Sequence, residues 1–136
     1  MLEATDAYRA AFKPGVLDRP HVMASADVVV ALTDAEAREL AAGYGLWVHS
    51  IRTGAGAMPY PSPEDARAFH WSDEDRALVE ARKSTRFVGS PATVAKSLRI
   101  LQEATGADEL LVTTITYEHA DRVRSAQLLA KEWGLS

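Results

Sequence analysis

The 136-residue sequence contains no cysteine. Disulfides, thiolate nucleophiles and cysteine-based metal sites are therefore excluded. It also lacks a long hydrophobic run, since nothing approaches the roughly 20 apolar residues of a membrane-spanning helix. There is no basic cluster, and the formal net charge is -4. Such a balance points away from nucleic acid and from anionic membrane surfaces as partners. The opening residues, Met1 to Asp6, lack the charged-then-apolar layout of a secretory signal, so a cytoplasmic location is expected. No G-x-x-x-x-G-K-[ST] phosphate loop and no G-x-S-x-G nucleophile elbow occur. Gly54-Ala55-Gly56 begins like a dinucleotide fingerprint, but Pro59 stands where the third glycine belongs and no strand precedes it. His21, His49, His70 and His119 show neither i, i+4 spacing nor an HExxH context, so no metal site is expected.

What is present is ordinary for a globular domain: 47% hydrophobic and 25% charged residues. A chain of this length can bury a core of its own. Residues 1–13 read as a helix with Ala4, Tyr8, Ala11 and Phe12 on one face, ended by Pro14-Gly15. His21 to Ala31 reads as a strand. Val22, Ala24, Ala26, Val28 and Val30 share one face, and Met23, Ser25, Asp27 and Val29 the other. Thr33-Asp34-Ala35-Glu36 is a capping box for a helix carrying Ala37, Leu40, Ala41, Tyr44, Val48 and Ile51. Gly43 and Gly45 weaken its second half. Residues 52–84 form an insertion: a glycine- and proline-rich loop over 54–63, then a helix capped by Ser72.

Phe87-Val88-Gly89 reads as a short strand. Ser90 is a good N-cap, Pro91 fits the first helical position, and Val94, Leu98 and Leu101 make one apolar stripe. Gly106 is the C-terminal stop. Leu110-Leu111-Val112 is a continuous apolar run, as expected of a strand covered on both faces. A last helix carries Val123, Ala126, Ala130 and Trp133 on one face and stops at Gly134. The alternation calls for an α/β fold with parallel strands and covering helices.

Three places could carry chemistry. The Gly89-Ser90-Pro91 turn could hold an anion on its N–H groups, although plain N-capping explains the same residues. Glu118 and His119 stand where the last strand becomes the last helix and could act as acid or base. They could equally complement the helix dipole and face solvent. Asp27 could line a site on the polar face of its strand, or lie near an edge and bond locally. Trp47, Trp71 and Trp133 read as packing residues.

The segments Phe87 to Val94, Thr105 to Thr113 and Tyr117 to Ser125 closely resemble the C-terminal part of bacterial luciferase-like monooxygenases. Leu17 to Met23, Ala31 to Ala37 and Trp71-Ser72 resemble the same family in the same order. The resemblance implies the C-terminal part of a (β/α)8 TIM-type barrel with an insertion before its seventh strand. Residues 1–136 would be one partial-barrel domain holding the sixth, seventh and eighth strands, with 52–84 inserted. Such barrels take roughly 250 residues, so a truncated reading frame, a split gene or an expressed fragment is expected. The implied function is that of a flavin-dependent monooxygenase using reduced flavin and O2 on an organic substrate, with FMN, or F420 in one branch, as cofactor. A flavin reductase would be a partner. The main FMN-phosphate loops and an unusual cis peptide belong to the missing first half, so catalytic residues are not carried over. The strand ends Gly89, Ser90, Thr113 and Thr114 are the remaining candidates for cofactor binding. The sixth and eighth strands are expected as open edges, which calls for a homo-oligomer or a complementary barrel half. The alternative is a non-catalytic α/β module that assembles or binds through those edges.

Overall fold

In the computed structural model the strand expected over His21 to Ala31 forms as the shorter β1 (Met23–Val30), and everything else is arranged about it. The structure describes residues 2–54 and 56–135, so the expectations that fall on Met1, Ala55 and Ser136 lie outside the described residues. β1 pairs in parallel with β2 (Phe87–Gly89) through Val28↔Phe87, Val29↔Val88 and Val30↔Gly89. On its other edge it pairs in parallel with β3 (Glu109–Thr113), from Met23↔Glu109 to Asp27↔Thr113. The order is β2-β1-β3. This corrects the expected succession, in which the Phe87 strand lay between the other two and the His21 strand was an open edge. The reason is length. A three-residue strand offers too short a ladder to carry β3, whereas eight residues of β1 serve both neighbours on different halves.

Two helices, α6 (Pro91–Thr105) and α7 (His119–Trp133), cover one face of this sheet. Ala26, Val28 and Val30 meet Val94, Ala95, Leu98 and Leu129 there as the main core. Ser90 caps α6 by accepting from the Thr93 N–H, and Gly106 ends it at φ 60°. The apolar stripe expected on α7 is corrected: Ser125 and Leu129 are its buried residues, and Val123 is exposed. The Ser125 hydroxyl accepts from Val30 N–H at 2.9 Å, beyond the end of the β3 ladder. That buried polar anchor turns the helix, and hydrophobic periodicity gives a serine no weight.

β3 is also corrected. Its apolar run is not covered on both faces, and Leu111 stays 53% exposed. A continuous apolar run states a demand for cover; it cannot say whether the cover is supplied.

The helix after β1 is interrupted, forming α2 (Asp34–Leu40) and α3 (Gly43–Arg52). Thr33 caps α2, while Glu36 reaches Leu32 N–H instead of completing the box. A Cβ on Gly43 would lie 2.9 Å from Tyr60 Cε1 and 3.0 Å from the Pro61 carbonyl oxygen, so the glycine admits the insertion loop. The insertion holds one helix more than expected, α4 (Pro63–Ala68), before α5 (Asp73–Lys83). Ser62–Asp65 and Ser72–Asp75 are full capping boxes. Tyr44, Val48 and Val79 form a second core with Trp47, Tyr60 and Trp71. The first helix, α1 (Leu2–Ala11), buries nothing. It is tied on by Arg9, whose Nη2 donates to the Thr105 and Gly106 carbonyls at 2.7 and 2.8 Å.

Candidate functional site

The second face of the sheet carries the polar groups. Because Val28 pairs with Phe87 and Asp27 with Thr113, Arg86, Asp27 and Thr113 fall in one row across the three strands. Thr113 Oγ1 donates to Asp27 Oδ1 at 3.0 Å. Arg86 Nε lies 3.3 Å from Asp27 Oδ2, and the Arg86 side chain is only 3% exposed. The ion pair is close but poorly aligned, so Arg86 Nε has no hydrogen-bond acceptor. The guanidinium sits 4.0 Å above the Tyr44 ring centroid, a cation–π arrangement strengthened by burial. Tyr60, from the insertion, brings a buried hydroxyl with no partner. Burial pushes its phenol above the ordinary value, against the lowering pull of Arg86, which keeps it protonated. These donors are shut off from water. As it stands, the cluster fastens the insertion to the sheet.

The four residues expected at a cofactor do not converge. Ser90 N–H donates to Asp34 Oδ1 at 2.6 Å. That bond, first among several, holds the Asp34 carboxyl below its usual range. The anion-receiving turn thus already carries a carboxylate of the chain itself. Gly89 is a glycine for the same reason, since a Cβ there would lie 2.7 Å from Asp34 Oδ1. Thr113 is engaged with Asp27. Thr114 lines a cleft on the opposite, helix-covered face with Leu98, Leu110 and Val112. Gly89 is level with Val30 and Thr113 with Asp27, an offset of three residues or about 10 Å along the strands.

Glu118 and His119 are both exposed. Glu118 makes no side-chain cap bond, and His119 Nδ1 lies 3.2 Å from Arg122 Nη2. Sequence reasoning missed another pair, His49 Nε2 and Asp75 Oδ1, 2.8 Å apart between α3 and α5. The ring packs on Phe69 and Trp71 at 5.2 and 5.9 Å. Asp75 is held below its ordinary value, first by the Ser72 hydroxyl and then by His49. Its place in a capping box was legible; its second partner was not. Arg86 was also missed, although its position one residue before a strand sets its side chain in the Asp27 row. Among the described residues no group of three His, Asp or Glu could hold a metal ion, and no helix is long and apolar enough to cross a membrane.

Fold and site define a parallel α/β unit with one face covered by helices, an aromatic insertion pinned to the sheet, and a second face exposed at Met23, Ser25 and Leu111. No family model matches the chain. Similar proteins include the uncharacterized protein YvbT of Bacillus subtilis (strain 168), 34% identical over 131 residues. A luciferase-like monooxygenase of Escherichia coli (strain K12) is 26% identical over 129 residues. These matches take in 96% and 94% of this chain but 39% and 38% of the relatives. The crystal structure of apo-MsnO8 superposes with a TM-score of 0.83 at 34% identity, covering 98% of this chain and 41% of that one. The chain therefore spans about two fifths of the length of the relatives it matches. Over that span it is related to luciferase-like monooxygenases.

Proposed function

We propose that the chain, as a single partial-barrel domain with 52–84 inserted, contributes the closing strand–helix units of a (β/α)8 barrel in a luciferase-like monooxygenase. The assembled enzyme would use reduced flavin and O2 on an organic substrate, with a flavin reductase as electron source. One observation carries the reading: nearly the whole chain aligns with a luciferase-like monooxygenase, but with only 38% of it. In such a barrel consecutive strands pair; here β1 pairs with its successor β2 and also with β3, which α6 joins to β2.

The residues of this chain do not fit a flavin phosphate. The strand-to-helix turn at Ser90 is occupied by Asp34, and Thr113 is spent on Asp27. Flavin binding, whether of FMN or F420, is accordingly assigned to the assembled protein, with this chain supplying the wall formed by Met23, Leu111 and the Asp27 row. Nothing observed favours a non-catalytic module. The test is a spectral titration with FMN, oxidised and reduced. The isolated chain is expected to leave the flavin spectrum unchanged, and a mixture with the remaining part of a luciferase-like barrel to perturb it. A mixture that stays silent at high micromolar flavin would sink the proposal.

A further inference from the structure

A second cleft, of about 260 Å³, draws its walls from α3 and α5. A Cβ on Gly45 would stand 3.6 Å from Lys83 Cδ, Val48 shares a core with Val79, and His49 meets Asp75. The two helices therefore run antiparallel. Tyr44, Trp47, Val48, Ile51 and Arg52 fall on one face of α3 at helical spacing, and Arg82 of α5 completes the lining. The floor is made of rings: the Tyr44 and Trp47 centroids lie 5.9 Å apart with their planes tilted by 43°. Arg52 ends α3, and Arg82 stands in the last turn of α5. In antiparallel helices those positions are opposite ends of the cleft, separated by about seven residues of rise, or about 10 Å.

The two arginines carry charge that the chain does not answer. Arg9, Arg67, Arg86 and Arg124 each meet a carboxylate, whereas among the described residues Arg52 and Arg82 do not. Their neighbours three and four residues earlier are Val48 and His49, and Leu78 and Val79, so no helical ion pair is on offer. Each opposes the negative end of its own helix, which accounts for its place in a last turn but not for both bordering one aromatic cleft. Arg86 stacks on the same Tyr44 ring, but its charge is already met by Asp27. The net charge of the chain is -4, so two unanswered cations in one cleft are a local reversal of sign. We infer that this cleft binds a small flat organic dianion, an aromatic dicarboxylate, with its ring on Tyr44 and Trp47 and one carboxylate at each arginine. A guanidinium is the donor group best matched to a carboxylate, and the volume suits one or two rings. The site lies wholly within this chain and goes beyond the barrel reading.

The experiment titrates the full chain with terephthalate and follows nitrogen–proton correlation spectra. Saturable binding is expected to move the Trp47 indole N–H and the Nε–H signals of Arg52 and Arg82, and to leave Trp133 in place. Benzoate, with one charge, should bind at least about tenfold more weakly, and benzyl alcohol more weakly still. Arg52→Gln and Arg82→Gln should each weaken terephthalate at least about tenfold. Both side chains are exposed, so the fold should survive, as the rest of the spectrum reads directly. Arg122→Gln, on α7, should change nothing. Added salt should weaken terephthalate more than benzoate. No saturable binding, equal affinity for terephthalate and benzyl alcohol, or no loss in either arginine variant overturns the site. Benzoate binding as tightly as terephthalate overturns the assignment of a dianion. None of these outcomes involves flavin, so the functional reading stands or falls separately.

Discussion

The two faces of one short sheet have opposite fates. On one, Ala24, Ala26, Val28 and Val30 are buried, most of them against α6 and α7. On the other, Met23 is 55% exposed, while Asp27 is locked between Arg86 and Thr113. Both faces alternate along the same eight residues of β1. The difference lies in what the chain brings to them. The covered face is completed by helices that follow β2 and β3 directly in sequence. The other face receives Tyr44 from α3, Tyr60 from the insertion and Arg86 from just before β2, and buries Val29, while Met23 and Leu111 stay exposed. A sheet so divided is finished as a scaffold on one side and presented as a surface on the other.

Arg86→Ala should sharpen that contrast most. It strands the Asp27 carboxylate on the bare face and unpins the insertion, at about 3–5 kcal/mol. Urea unfolding reads the loss, and an effect below about 1 kcal/mol would mean that the polar row is not a fixed part of the fold. Leu98→Ala, at the centre of the covered face, should cost about 2–5 kcal/mol through lost burial and a residual cavity. Acid acts on the ties at the margins of both faces. The carboxyls of Asp34, Asp65, Asp75 and Asp108 are all lowered in the folded chain, so the unfolded state binds more protons as the pH falls. Their stabilisation is present above the unfolded value of about 3.9 and is lost as pH falls through the lowered folded values. Asp34→Asn should flatten the low-pH part of the stability curve, read as urea midpoint against pH. The smallest effect belongs to Leu111→Ser on the bare face, within about 0.5 kcal/mol for the isolated chain. A cost matching Leu98→Ala would abolish the distinction between the faces.

Short-range features were legible. Ser90, Ser72 and Thr33 cap the helices that their positions announce, and Gly106 and Gly134 end theirs in the left-handed conformation. The two faces of β1 were readable from alternation over Met23 to Val28, but not at its end, where Val29 is buried along with Val28 and Val30. The α7 stripe was not, because its anchor is the Ser125 hydroxyl on a strand N–H. Nor was the occupation of the Ser90 turn, because Asp34 arrives from 56 residues away.

By itself, then, the sequence determined where helices begin and end, which strand alternates and that the strands run parallel. Those outcomes depend on contacts within a few residues of the chain or on the length of its connections. The tertiary structure decided that β1 is central, that one edge of β3 has no neighbour among the described residues, and that Arg86, Asp27 and Thr113 form one row. Thr113 and Asp27 are 86 residues apart, and no local propensity senses such a partner. Register brings them together, and register is settled only when the strands compete for the two edges of β1.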